Sequence, residues 1–188
     1  NEQITLAELY ENGIYICTDH QQNIHYFYIV DDKINYKIQH YFEPDINKSI
    51  RYYLLAAEHN NSFALFKLGM IYLSGKCINQ DIYKAIHYFT LSSNLNDSDA
   101  QFILGCIYYK GEIVLQNINK ALFFFSLASS NNDSRAHFFL GEIYFNGKYV
   151  QQDINKGLYY LHMSADQNNY ESQYYLGMVY YMGEYVQR

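Results

Sequence analysis

Between Ser62 and Gly75 the apolar positions fall at 64, 68, 71 and 72. That spacing follows one face of a helix, whereas a strand would alternate in twos. A polar run follows, and then "KAIHYFTLSS" at 84–93. The pattern predicts two helices in tandem. The first is expected to begin at Ser62, a residue type that caps helix N-termini. It is expected to stop at Gly75, which accepts the left-handed conformation found at helix C-termini. The second should open at Asp81 and stop at Asn96, because Asn is second to Gly in tolerating that conformation.

The same pattern returns at a constant interval. "LGMIYLSGKCINQDIYKA" starts at 68, "LGCIYYKGEIVLQNINKA" at 104 and "LGEIYFNGKYVQQDINKG" at 140, a period of 36 residues. Gly69, Gly105, Gly141 and Gly177 share it, as do Gly75, Gly111, Gly147 and Gly183. Tyr72, Tyr108, Tyr144 and Tyr180 keep the register, and so do Lys48, Lys84, Lys120 and Lys156. Ser98 and Ser134 repeat the expected cap, Asp45, Asn117 and Asp153 the second opening, and Asn60, Asn132 and Asn168 the second stop. The Gly69 column lies inside the first helix, where Gly costs about 1 kcal/mol against Ala. Close approach of a neighbouring helix would explain it. One helix pair cannot bury its own apolar face, so pairs must stack. The expected fold is all-α: a right-handed superhelical α-solenoid of stacked antiparallel helix pairs.

The first 44 residues follow the period loosely. "LAELYENG" at 6–13 resembles "LGEIYFNG" at 140–147, and "IHYF" at 24–27 equals "IHYF" at 86–89. The second offset is 62, not a multiple of 36. Residues 1–44 are therefore expected to hold divergent N-terminal repeats of the same solenoid, with either "YKIQHYF" at 36–42 as a shortened helix or a stretch of about ten residues missing between Asn35 and Asp45. Residues 45–188 carry the regular repeats and end within one.

Composition narrows the function. Net charge is −6, which argues against a nucleic-acid binder. The apolar run "ALFFFSLA" at 121–128 is too short to span a bilayer. Neither nucleic-acid binding nor direct membrane insertion is expected. Cys17, Cys77 and Cys106 are odd in number and lack CxxC spacing. They read as reduced thiols of a cytoplasmic protein, with no disulfide framework or zinc site.

Candidate chemistry is sparse. None of the seven histidines (His20, His25, His40, His59, His87, His137, His162) forms HxxxH or HExxH. His25 and His87 read as one repeat position, in packing. Asp97 and Asp99 fall in an inter-helix turn, where Asp is common. No Ser precedes a Lys by three, and no GxxxxGK loop is present. No catalytic residue, cofactor or metal is expected. Lys48, Lys84 and Lys156 each lie three residues after an Asp, which predicts helical ion pairs.

The columns Ala64, Leu68, Gly69, Tyr72, Gly75, Asp81, Lys84 and Ala85 resemble the Sel-1-like repeat (SLR) family, relatives of the tetratricopeptide repeats. The unit at Ala100 matches with Asn117 in place of Asp, and the unit at Ala136 with Gly157 in place of Ala. Asn stands throughout where the family's late Gly falls. The tetratricopeptide unit itself is about 34 residues, a poorer fit to the period. Some secreted relatives are associated with penicillin binding or β-lactam hydrolysis and carry a Cys pair in each repeat. This chain has neither the Cys pairs nor an SxxK nucleophile.

The resemblance implies an interaction scaffold without catalysis of its own. In tetratricopeptide relatives the first helix of each pair lines the concave face. Carried over by residue, that face would hold Phe66, Met70 and Leu73, then Phe102, Cys106 and Tyr109, then Phe138, Glu142 and Phe145, then Tyr174, Met178 and Tyr181. Phe63, Asp99, Arg135 and Glu171 would lie beside them. Aromatic and Met anchors among polar groups that change between units suit a protein-binding surface. The expected function is a scaffold or adaptor holding a peptide or protein there. The alternative is a structural subunit of a large stable assembly.

Overall fold

The structure is a computed structural model. It describes residues 45–76 and 78–183, and the backbone of three strands within 15–36. The chain divides into two compact units, 1–88 and 89–188.

The first unit contains β1 (Tyr15–Thr18), β2 (Ile24–Val30) and β3 (Lys33–Tyr36), an antiparallel meander in that order. Phe27 pairs with Tyr15 on one side and Tyr36 on the other. The expectation of a divergent helical repeat over 1–44 meets strand here. The sequence "IHYFYIV" of β2 is β-branched and aromatic throughout, which suits a pleated surface. His25 therefore lies on a strand and does not share the helical position of His87. The remaining expectations for 1–44, including the shortened helix at 36–42, fall largely outside the described residues.

Helices follow: α1 (Ile46–Glu58), α2 (Ser62–Ser74) and α3 (Ile82–Asn94), the last running into the second unit. Tyr53 and Ala56 of α1 pack on Ala64, Leu68 and Ile71 of α2. The second unit continues with α4 (Ser98–Lys110), α5 (Ile118–Ser130), α6 (Ser134–Asn146), α7 (Ile154–Ala165) and α8 (Tyr170–Met182). Its core includes two clusters. Ala121, Phe125 and Ala128 meet Ala136, Leu140 and Ile143, while Phe145 and Leu161 meet Leu176 and Val179. The helices of 45–183 form the all-α repeat architecture expected from the period.

Local chemistry fixes each helix end. Asp45, Asp81, Asn117 and Asp153 cap the second helices, accepting from the amides of Lys48, Lys84, Lys120 and Lys156 at 2.9–3.1 Å. The first helices are capped one residue earlier than expected. Asn61, Asp97, Asp133 and Asn169 are the caps, and Ser62, Ser98 and Ser134 are already helical. The cap is the residue whose side chain reaches the amide three positions on, as Asp97 does to Ala100 at 2.9 Å. Gly111 ends α4 at φ 69°, and Asn60, Asn96, Asn132 and Asn168 turn the chain at φ 55–64°.

The mid-helix glycines Gly105 and Gly141 sit where a second helix leans in. A Cβ at Gly105 would lie 2.5 Å from the Phe125 ring, and one at Gly141 would lie 2.7 Å from Leu161. Three glutamines absent from the sequence reading fasten the loops between paired helices. Gln80, Gln116 and Gln152 donate to the carbonyls of Leu73, Tyr109 and Phe145 at 2.7–2.8 Å.

Candidate functional site

The face chosen from the sequence belongs to α2 in the first unit and to α4, α6 and α8 in the second. On α2, Phe66, Met70 and Leu73 are all half-buried. Phe63 is exposed and carries the Lys67 ammonium over its ring at 5.2 Å.

In the second unit the aromatic residues join one another. Phe102 lies 5.7 Å from Phe139 and 6.0 Å from Phe125, centroid to centroid. Tyr109 lies 5.6 Å from Phe139 and meets Tyr149 edge-on at 5.8 Å. Phe138 and Phe145 both meet Tyr175. Such edge-to-face and offset pairs hold rings in fixed positions. Their exposure differs widely, however. Phe102, Tyr109 and Phe138 are half-buried. Phe145 is buried, and its backbone and Cβ lie under Gly157, where an added methyl would come within 2.7 Å. Phe145 is thus a packing residue, and it accounts for Gly157 standing where two other repeats have a buried Ala. Tyr174 and Tyr181 are 70% and 92% exposed, and Met178 is half-buried.

Charges are distributed among the rings. Arg135 bonds Asp99 at 2.6 Å and Asp133 at 2.5 and 3.0 Å. Its guanidinium centre lies 4.4 Å from the Phe102 centroid. The two carboxylates hold the guanidinium firmly charged. Glu142 is half-buried, and burial raises its carboxyl pKa against the opposing pull of Lys148. No hydrogen bond or ion pair among the described residues reaches its carboxylate. Burial pushes the Cys106 thiol up to about 11, so it stays protonated and unreactive. Burial, together with Glu142 and its tyrosine neighbours, pushes Tyr109 up to about 12.

The Lys column does more than pair with Asp. Lys48 and Lys84 do approach Asp45 and Asp81, at 3.5 and 3.6 Å. Lys84, Lys120 and Lys156 also lie over the rings of Tyr72, Tyr108 and Tyr144 at 5.1, 4.7 and 3.8 Å. This cation–π series links two columns that the sequence shows only as separate repeats. A further polar series joins the second helix of each pair to the first helix of the next. Gln101 donates to Ser93 at 3.4 Å, His137 Nε2 lies 3.3 Å from the Ser129 carbonyl, and Gln173 donates to Ala165 at 3.2 Å. His137 is fully buried, and Gln167 lies 3.1 Å from its Nδ1. Burial lowers its pKa. His87 is exposed. Among the described residues no cluster of His, Cys, Asp or Glu is arranged to hold a metal ion. No described helix is long and apolar enough to cross a membrane.

Helix pairs of constant period, sealed at interior glycines and fastened by repeated caps, define an α-solenoid repeat protein. The chain belongs to the Sel1 repeat family, whose model matches residues 40–61, 62–97, 98–133, 134–169 and 171–188. Proteins of this family are generally protein–protein interaction scaffolds and generally non-catalytic. The chain is similar to the crystal structure of a Sel1 repeat protein from Oxalobacter formigenes, with a TM-score of 0.74 and 26% identity. That likeness covers 97% of this chain and 64% of the other. It also shares the SLR fold of c5321, a protective antigen of uropathogenic Escherichia coli, at a TM-score of 0.75 and 23% identity. There it covers 96% of this chain and 33% of the other. Helicobacter pylori cysteine rich protein B matches at a TM-score of 0.52 and 25% identity, over 69% of this chain and 92% of that one. The chain thus spans about two thirds and one third of the first two relatives. No curated protein matches it by sequence.

Proposed function

We propose that this protein is a non-catalytic scaffold or adaptor that holds a peptide or protein on the face presented by the first helices of its repeats. The observation that carries this reading is the content of that face over α4, α6 and α8. Ring positions persist from repeat to repeat, while the column between them reads Cys106, Glu142, Met178. A column serving only the core would keep one character. The acidic balance of the chain favours protein partners over nucleic acid. A cytoplasmic location fits its unpaired Cys106.

The experiment is affinity capture from the native cells, with wild type beside a Tyr174→Ala/Glu142→Lys variant. Both positions leave the core untouched, so helicity by circular dichroism should not change. Loss of a partner from the variant alone is the expected result. Recovery of the same partners by both proteins would overturn the choice of face. A second reading, a structural subunit of a larger assembly, draws on α8, where Tyr174, Tyr181 and Met182 are all exposed. It predicts stoichiometric subunits that the double variant still retains.

A further inference from the structure

The second unit already contains one cation held by this face. Arg135 sits with its guanidinium over the Phe102 ring and its nitrogens on Asp99 and Asp133. A ring below and carboxylates beside it satisfy both the charge and the planar surface of the group. The same ingredients recur on the next turns of α6, with no cation bonded to the carboxylate. Glu142 is a half-buried carboxylate that no hydrogen bond or ion pair among the described residues reaches. Glu142 follows Phe139 by three residues on α6, and the Phe139 ring lies 5.6 Å from Tyr109, which stands edge-on to Tyr149 at 5.8 Å. At the position equivalent to Arg135, the following repeat has Glu171, so no arginine arrives from within.

One internal cation lies close. The Lys148 ammonium acts on Glu142 from beyond ion-pair distance and rests over the Tyr149 ring at 4.8 Å. Lys148 is exposed, so it can swing aside at little cost. A half-buried carboxylate that no hydrogen bond or ion pair reaches has lost water for little in return. A cation brought by a ligand would complete it.

We propose that Glu142, with the rings of Tyr109 and Tyr149 beside it, anchors a lysine or arginine side chain of a peptide lying along the first-helix face of α4, α6 and α8. The partner is thus a basic segment, complementary to the acidic balance of the chain. This inference rests on the scaffold reading and names the chemistry of what the scaffold holds.

The test begins with a random dodecapeptide phage library selected on the folded chain, with Tyr174→Ala protein as the counter-selection. Enriched sequences are expected to share a Lys or Arg. A synthetic enriched peptide is then titrated against wild type and Glu142→Gln, beside an analogue with norleucine at the shared basic position. Glu142→Gln should weaken the peptide about tenfold, as expected for loss of a charge-assisted contact. It should not weaken the norleucine analogue further. Lys148→Met should leave binding equal or tighter, because it removes an internal competitor. Enriched peptides that lack a basic residue, or that bind Glu142→Gln and wild type alike, would overturn the inference and leave the face intact. Failure of any peptide to enrich over the counter-selection would overturn the scaffold reading and this inference together.

Discussion

Helices α6 and α8 occupy the same register, one period apart, yet the same columns have different surroundings. Gly141 lies under Leu161, whereas no described atom lies within 4 Å of the place where a Cβ on Gly177 would be. Phe145 is 7% exposed and Tyr181 is 92% exposed. His137 is fully buried, while its equivalent Gln173 is exposed. A repeat column therefore specifies a residue's place on its own helix. Its energetic role depends on whether another helix lies over it, as expected of a nearest-neighbour architecture.

Paired substitutions sharpen this contrast. Phe145→Ala empties a filled site and should cost about 3–5 kcal/mol in urea denaturation, whereas Tyr181→Ala should change stability by less than about 0.5 kcal/mol. Equal losses would show that α8 is covered in solution. Gly141→Ala forces a methyl against Leu161 and should cost about 1–3 kcal/mol. Gly177→Ala meets no such atom and should stabilise by up to about 1 kcal/mol through helix propensity.

The third pair is read by pH. Burial lowers the pKa of His137, so its neutral form is the one that folding favours. Its contribution is present above the ordinary histidine pKa of about 6.5 and is lost as pH falls through the lower folded value. Thermal melts from about pH 7.5 to about pH 5 should show a loss of stability that His137→Gln flattens. Gln173→His, in the exposed equivalent, should add no such slope. The smallest effect belongs to Glu142→Gln, which should alter stability by less than about 0.5 kcal/mol because it breaks no bond.

The helical period, the Gly columns and the Asn stops were all readable because they are local requirements repeated at fixed spacing. The N-terminal strands were not. "IHYF" forms part of β2 at 24–27 and part of α3 at 86–89. Four identical residues cannot decide, and the β-rich "YIV" that follows the first copy does. The caps were misplaced by one residue because Ser, Asn and Asp all suit the position, and only the hydrogen bond distinguishes them. The Gln80, Gln116 and Gln152 fastening joins groups seven residues apart around a turn, a contact with no helical or strand period to reveal it.

The candidate face was legible as a set of columns but not as exposure. Phe145 and Tyr181 share a column and fall at opposite extremes. Phe102 and Tyr109 stay half-buried because Phe125 and Phe139, from other helices, pack against them. The combination of Glu142, Tyr109 and Tyr149 brings together three elements of two repeats, which no sequence window contains.

An amide chemical-shift map of the nitrogen-15-labelled chain, titrated with the selected basic peptide, tests the central claim most directly. Perturbations concentrated on α4, α6 and α8 and centred near Glu142 are the result this account predicts. Perturbations concentrated on α5 and α7, with the first helices unmoved, would contradict it.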